Sequence, residues 1–125
     1  MSKIVVLGAG ISGHVAAAHL RRKLSKNHEV VVVSPNSNYQ WIPSNIWVGI
    51  GRMKSEQILF PLAPLYKRKG IDFKQAKALS FYPEGDQAEQ KPYVLAEYVV
   101  GEQKGNKEKI TYDYLINATG PKLNF

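Results

Sequence analysis

The sequence contains no cysteine, and this absence removes three kinds of chemistry from the chain. Disulfide bonds, thiolate metal sites and redox-active cysteine pairs all require that residue. The sequence also has no run of the roughly 18 apolar residues that a membrane-spanning helix needs. Its short apolar start runs through Gly8 and Gly10 into a predicted helix without a cleavage-like site, so we do not expect a secretion signal.

Acidic residues are scarce: 10 stand against 17 lysines and arginines, which gives a formal net charge of +7. Such a balance suits a polyanion, an anionic membrane surface or an anionic substrate. The basic residues are dispersed over two predicted helices and a loop, without the interleaved aromatic residues typical of nucleic-acid binding. We therefore expect no nucleic-acid partner. Two interpretations of the charge stay open, namely ordinary solvated faces and a patch for a membrane or a partner.

The chain has 125 residues, 44% of them hydrophobic, which is enough for one core and one domain over residues 1–125. Short β-branched runs alternate with helical periodicity, and this predicts an α/β fold with a Rossmann-like parallel sheet, helices and a β-meander. A long loop is predicted over Pro35–Met53, a helix cap at Ser55 and a helix end at Gly70. The predicted strands are Lys3–Leu7, Glu29–Ser34, Ile71–Leu79, Tyr93–Val100, Lys109–Tyr112 and Leu115–Ala118; the predicted helices are Ile11–Ser25 and Pro61–Gly70.

Three glycines after the first strand fit the pattern G-x-G-x-x-G, at Gly8, Gly10 and Gly13. In this pattern the first glycine permits a tight turn, the second lets backbone approach a pyrophosphate, and the third lets the helix pack on the sheet. The phosphates then face the unpaired N–H groups of the helix N-terminus. Because the pattern follows a strand, opens a helix and leads to a second strand, it predicts a dinucleotide site.

The second strand lacks the acidic residue that usually binds the ribose hydroxyls at its end. It ends in Ser34, whose hydroxyl can bond a ribose less strongly than a carboxylate, or simply begin a loop. No arginine or lysine stands between Val33 and Trp41 to receive a 2′-phosphate, which disfavours NADP. The weakened NAD pattern leaves FAD as the better candidate.

Three segments together resemble the sulfide:quinone oxidoreductases, in the FAD-dependent pyridine nucleotide-disulfide oxidoreductase superfamily. They are the GAGISG turn, the segment YQWIPSNIWVG (Tyr39–Gly49) and the closing YDYLINATGPKL (Tyr112–Leu123). The middle segment carries the specific resemblance, because type II NADH dehydrogenases share the outer two. The resemblance implies bound FAD, sulfide oxidised by paired cysteines beside the flavin, electrons passed to a membrane quinone, and a peripheral membrane location.

The resemblance also implies which residues of this chain bind FAD. The glycine turn and the first helical turn would hold the pyrophosphate, the end of the second strand would meet the ribose, and the aromatic loop would approach the flavin side. Backbone at the end of the third strand would face adenine, and the turn after the last strand would close over the cofactor. In chain order these residues are Gly8, Ala9, Gly10, Ile11, Ser12, Gly13, Ser34, Pro35, Ile42, Pro43, Lys77, Ala78, Thr119 and Gly120.

The family's redox cysteines, its second nucleotide domain and its membrane-contacting helices should lie beyond Phe125. The chain is therefore expected to be the N-terminal part of a longer flavoprotein, with no catalytic residue of its own and no activity in isolation. Two alternatives stay open, namely the N-terminal part of a type II NADH:quinone oxidoreductase and a stand-alone, non-catalytic nucleotide-binding module.

Histidine and tryptophan residues suggest further chemistry that we do not favour. His14 and His19 are five residues apart on one predicted helix, which is not the spacing of a zinc pair, so we expect no metal site. Trp41 and Trp47 are expected to pack in the core beneath the long loop; stacking on a flavin is the alternative.

Overall fold

The computed structural model describes residues 1–121, and in this part of the chain it contains nine strands and three α-helices. The strands are β1 (Lys3–Leu7), β2 (Glu29–Val33), β3 (Asn38–Gln40), β4 (Leu59–Pro61), β5 (Asp72–Lys74), β6 (Ala76–Tyr82), β7 (Tyr93–Tyr98), β8 (Lys107–Thr111) and β9 (Tyr114–Asn117). The α-helices are α1 (Ile11–Lys23), α2 (Asn45–Gly49) and α3 (Leu62–Lys69), and two 3₁₀ helices span Ile42–Ser44 and Ser55–Ile58. The last residues of the closing segment, 122–123, lie outside the described residues.

Four strands form a parallel sheet in the order β5-β2-β1-β9. From β1 the chain moves outward to β2 and β5, and it later returns as β9 on the other side of β1. The strand order therefore reverses between β1 and β9. In open α/β sheets ligands bind in the crevice at the carboxyl ends of the strands at such a reversal.

The alternating residues of β1 and β2 point into two separate cores, one on each face of the parallel sheet. Ile4 and Val6, with Val30 and Val32, pack among side chains of the helices. Their neighbours along the strands pack instead against the antiparallel sheet β6-β7-β8. A strand buried on both faces is expected to be apolar throughout, which explains the run of four valines in β2. This arrangement confirms the predicted α/β fold with a parallel sheet, helices and a β-meander.

The prediction of a single strand at Ile71–Leu79 is wrong, because this segment forms two strands that belong to two different sheets. β5 pairs in parallel with β2, whereas β6 pairs antiparallel with β7. The chain crosses between the sheets at Gln75, where the N–H of Ala76 donates to the carbonyl of Ser34 (3.1 Å) and the N–H of Val99 donates to the carbonyl of Gln75 (3.3 Å).

The predicted long loop at Pro35–Met53 is also more structured than expected. It contains β3, which pairs antiparallel with β4 in what we call the β3–β4 ribbon, as well as α2 and a 3₁₀ helix. Ser55 is not a helix cap: Lys54 precedes the 3₁₀ helix, and its N–H donates to the Gln57 side chain (2.8 Å). The helix end at Gly70 is confirmed, since this residue has the left-handed conformation (φ 76°) that glycine favours.

Candidate functional site

A cleft of about 510 Å³ lies at the carboxyl ends of the parallel strands, where the strand order reverses. Its walls come from the β1–α1 turn, the end of β2, the start of the 3₁₀ helix after β3, the start of β6 and the turn after β9. The residues that line it are Gly8, Gly10, Ile11, Ser12, Val33, Ser34, Pro35, Asn36, Ile42, Lys77, Ala78, Ala118, Thr119 and Gly120.

Two of the three fingerprint glycines are required by the fold itself. Gly8 has φ +96°, and a Cβ there would lie 2.3 Å from the carbonyl oxygen of Ala118 at the end of β9. A Cβ on Gly13 would lie 2.1 Å from the carbonyl oxygen of Gly8. These contacts bring the first turn of α1, the β1 turn and the end of β9 close together, which forms the floor of the cleft.

Gly10 is different, because nothing in the described residues requires a glycine at this position. Its backbone is extended (φ −75°, ψ −163°), and a Cβ there would have no neighbour within 4 Å among residues 1–121. Since Gly10 lines the cleft, the space that a side chain would fill is open for a ligand. The glycine at this position therefore fits a close backbone approach to a phosphate group, as the pattern predicts.

The start of α1 is also suited to an anion. Gly10 is its N-cap and provides no side-chain cap, and the first turn has no acidic residue. The first intrahelical bond runs from the N–H of His14 to the carbonyl of Gly10 (2.9 Å), so the preceding N–H groups have no partner within the helix. Among the lining residues that the structure describes, the charged side chain is the cation Lys77. A pyrophosphate would find hydrogen-bond donors and the positive end of the helix dipole here.

Ser34 is the buried polar residue at the end of β2, with 1% of its surface exposed. Its Oγ accepts a hydrogen bond from the N–H of Asn36 (3.2 Å), which shapes the turn after the strand. A hydroxyl can donate as well as accept, so its hydrogen is available to a ribose oxygen in the cleft. A carboxylate at this position would accept hydrogen bonds from the ribose hydroxyls, whereas the Ser34 hydroxyl would donate one to a ribose oxygen.

Replacing Ser34 by alanine should affect both the turn and the cleft. The Asn36 N–H loses its acceptor and a ribose loses a donor, so we expect a stability loss of about 1 kcal/mol. We also expect FAD affinity to fall roughly 2–10-fold, which corresponds to one neutral hydrogen bond. Ser37→Ala is the matched control, because Ser37 is exposed in the same loop and does not line the cleft. Equal effects of the two substitutions in urea unfolding and FAD titration would contradict this role.

The turn after β9 is held by its own side chains. The Thr119 hydroxyl donates to Asn117 Oδ1 (2.9 Å), and the Thr119 N–H points to the same oxygen (3.3 Å). Gly120 follows with φ +85°, and a Cβ there would lie within 4 Å of no atom of residues 1–121.

The structure brings most of the sequence-predicted residues to the cleft wall but leaves three elsewhere. Ala9 is buried beneath the turn, Gly13 is buried against Gly8, and Pro43 is exposed on the 3₁₀ helix without lining the cleft. Sequence reasoning missed Val33, Asn36 and Ala118. Each of these is the immediate neighbour of a predicted residue. The sequence therefore indicated which strand ends form the cleft, but not how many residues at each end line it.

The tryptophans do not pack as expected. Trp41 is 47% exposed and Trp47 is 45% exposed, so the prediction that they are core residues is wrong. Trp41 immediately precedes Ile42, which contributes to the cleft wall, and Trp47 lies in α2.

Two of the three histidines, His14 and His28, have hydrogen-bond partners in the protein. His14 Nδ1 lies 2.8 Å from the hydroxyl of Tyr66, and His28 Nδ1 accepts the N–H of Ser2 (3.0 Å). Within residues 1–121 no three histidine, cysteine, aspartate or glutamate residues cluster as a metal site would need. Over the same residues, no helix has the length and apolar character to cross a bilayer.

Comparison with known proteins connects this cleft with a family. The model of the pyridine nucleotide-disulphide oxidoreductases matches residues 2–124. The sulfide-quinone reductase of Aquifex aeolicus (strain VF5) is 34% identical over 122 residues, which are 98% of this chain and 25% of that protein. A mitochondrial external alternative NAD(P)H-ubiquinone oxidoreductase, B4 of Arabidopsis thaliana, is 31% identical over 98% of this chain and 20% of its own length.

A solved structure gives the same likeness in three dimensions. The X-ray structure of the sulfide:quinone oxidoreductase from Aquifex aeolicus superimposes with a TM-score of 0.83 at 32% identity. It covers 100% of this chain and 26% of that one. The chain thus spans about a quarter of the length of the relatives it matches.

Proposed function

Because the chain belongs to the pyridine nucleotide-disulphide oxidoreductase family, we propose that it is the FAD-binding N-terminal part of a larger flavoenzyme. The family's members are FAD-dependent oxidoreductases, in agreement with the cofactor predicted from the sequence. The observation that carries the proposal is the uncapped start of α1 beside Gly10, at the point where the strand order reverses.

The bound flavin would supply the redox chemistry, and this chain would supply its position. The N–H groups of the first α1 turn bind the pyrophosphate, and Gly10 leaves room for it. Ser34 and Pro35 meet the adenosine ribose, and Ile42 contributes an apolar wall on the ribityl side. Lys77 and Ala78 face the adenine by their backbone.

The remaining predicted residues complete the site. Gly8 and Gly13 allow the tight backbone packing of the turn that lies beneath the phosphates. Thr119 and Gly120 close over the cofactor at the end of the cleft. Ala9 acts by filling the space beneath the turn, since it is buried. Pro43 acts indirectly, by stabilising the first turn of the 3₁₀ helix that contains Ile42, because proline is favoured at the start of a helix.

We propose further that the whole enzyme oxidises sulfide and reduces a membrane quinone. The support is the specific Tyr39–Gly49 segment and the likeness to the sulfide-quinone reductase of Aquifex aeolicus. Cysteines for this reaction would come from outside the chain, which has none. The same proposal places the enzyme at a membrane surface, through parts other than those described here.

A type II NADH:quinone oxidoreductase is the second candidate, supported by the similarity to the Arabidopsis NAD(P)H-ubiquinone oxidoreductase. The two candidates differ in the electron donor, and not in the use of the cleft. The cleft alone therefore does not choose between them.

An anaerobic absorbance experiment on the whole flavoprotein tests both levels of the proposal. We expect the purified protein to show a flavin spectrum that added sulfide bleaches and a quinone then restores. Bleaching by NADH and not by sulfide would establish the second candidate. A protein that binds no FAD, even when FAD is supplied in excess, would overturn the proposed function.

A further inference from the structure

An aromatic cluster outside the cleft connects the start of α1 to the β3–β4 ribbon. The His14 ring lies 4.8 Å from the Tyr39 ring, 5.7 Å from the Phe60 ring and 5.6 Å from the Tyr66 ring, measured between centroids. Tyr39 and Phe60 are register partners in the ribbon, and their rings stack at 4.8 Å. His14 thus contacts β3, β4 and α3 from a position one residue after the third fingerprint glycine.

The hydrogen bond between His14 Nδ1 and the Tyr66 hydroxyl fixes the ring within this cluster. Tyr66 is fully buried, and burial, together with nearby Tyr39, raises its pKa to about 12. The phenol is therefore neutral at ordinary pH and needs a partner, because a buried hydroxyl without one is costly.

The β3–β4 ribbon belongs to neither of the two larger sheets. It continues directly into the cleft wall: the N–H of Trp41 donates to the carbonyl of Ile58 (2.8 Å), and the next residue is Ile42. A displacement of the ribbon relative to α1 would therefore move Ile42 relative to the N–H groups of the first α1 turn. These are the two sides between which a dinucleotide would lie.

We infer that His14 is a positioning residue for the FAD site, whose ring holds the β3–β4 ribbon, and with it Ile42, against the start of α1. The inference rests on the proposed function of the cleft. His14 itself does not line the cleft, so it acts through Tyr39 and Phe60.

The surroundings of His14 favour the neutral ring. The charged and titratable groups near it are Lys69 and Tyr66 on α3, Tyr39 on β3, and His19, Arg21 and Arg22 on α1 itself. None of these carries a negative charge at neutral pH. Burial first, and then the charge of Lys69, lower the pKa of His14 below its usual 6.5.

The sign of the pH effect follows from that shift. The ring released from the cluster has the ordinary pKa and binds a proton more readily than the docked ring. Falling pH therefore favours the undocked ribbon, beginning as pH passes below about 6.5. FAD affinity should fall in the same range.

The test measures FAD dissociation constants by calorimetry in the whole flavoprotein, between about pH 8 and about pH 5.5. We expect the unsubstituted protein to lose FAD affinity progressively as the pH falls below about 6.5. His14→Asn keeps a polar partner for Tyr66 without a titrating ring, so its profile should be flat. His14→Phe keeps the stacked ring but leaves the Tyr66 hydroxyl unpaired, and it should bind FAD roughly tenfold more weakly at all pH values.

His19→Asn is the matched control, because His19 is exposed on the same helix. It should leave both the affinity and its pH dependence unchanged. If His14→Asn and the unsubstituted protein bind FAD with the same pH profile, the inference is overturned, even where the variant melts at a lower temperature. Failure of the unsubstituted protein to bind FAD would overturn the proposed function, and this inference with it.

Discussion

Gly13→Ala is expected to destabilise the fold by about 3 kcal/mol or more, the upper end of the cost of overpacking a core. The added Cβ would lie 2.1 Å from the carbonyl oxygen of Gly8 and 2.8 Å from its carbonyl carbon. Both are backbone atoms, so no flexible side chain can move aside. Either α1 must lift from the sheet or the β1 turn must open, and each change costs core contacts. Urea unfolding measured by circular dichroism gives this quantity.

Two control variants, Gly10→Ala and Ala16→Gly, separate the effect of backbone contact at Gly13 from general effects of exchanging glycine and alanine near the start of α1. Gly10→Ala adds the same methyl group three residues earlier, where no atom of residues 1–121 lies within 4 Å, and should change stability by less than about 1 kcal/mol. Ala16→Gly should cost about 1 kcal/mol through helix propensity alone. A Gly13→Ala protein as stable as the Gly10→Ala protein would show that the turn is not packed as described.

The glycine spacing predicted this part of the structure correctly for a physical reason. A strand followed by glycines at these positions has few other ways to fold, because Gly8 needs a positive φ and Gly13 needs backbone contact. The β-branched apolar run of β2 was equally informative, since a parallel strand buried on both faces is expected to be apolar throughout. Local sequence therefore determined the first βαβ unit.

The sequence did not reveal where the chain leaves one sheet for another. Between β5 and β6 it has Gln75, and neither glycine nor proline marks the change of sheet. The decision is made by distant partners, with β2 on one side and β7 on the other. The three-residue strands β3 and β4 were not predicted, because so short a segment contains too little alternation of apolar and polar residues to be recognised as a strand.

The same limit applied to the cluster around His14. Its members are far apart in sequence, and they meet only after the ribbon and α3 have packed on α1. In the sequence, His14 stands five residues from His19 on one predicted helix, which is not the spacing of a zinc pair. This spacing argued against a metal site, but it did not indicate which side chains surround His14 in the fold. The cleft was predicted better, because its residues come from strand ends, which a parallel sheet brings to one edge.

Gly10→Ala should lower FAD affinity by roughly 10–100-fold, or about 1.4–2.8 kcal/mol, while the protein stays folded. The extended backbone of Gly10 is one that alanine adopts readily, so the substitution introduces no strain. Its methyl group would enter the space beside the unpaired N–H groups of α1, where the pyrophosphate is proposed to lie. Calorimetric titration of the flavin-free protein with FAD measures the effect.

Two opposite influences keep the stability of Gly10→Ala near that of the unsubstituted protein. Alanine is a poorer N-cap than glycine, but it also reduces the conformational freedom of the unfolded chain. A large loss of affinity at unchanged stability therefore has to come from the ligand side of the cleft. Unchanged FAD affinity in this variant would mean that the cofactor does not approach Gly10. The N–H groups at the start of α1, which have no partner within the helix, would then need another ligand, and the assignment of the cleft to FAD would fail.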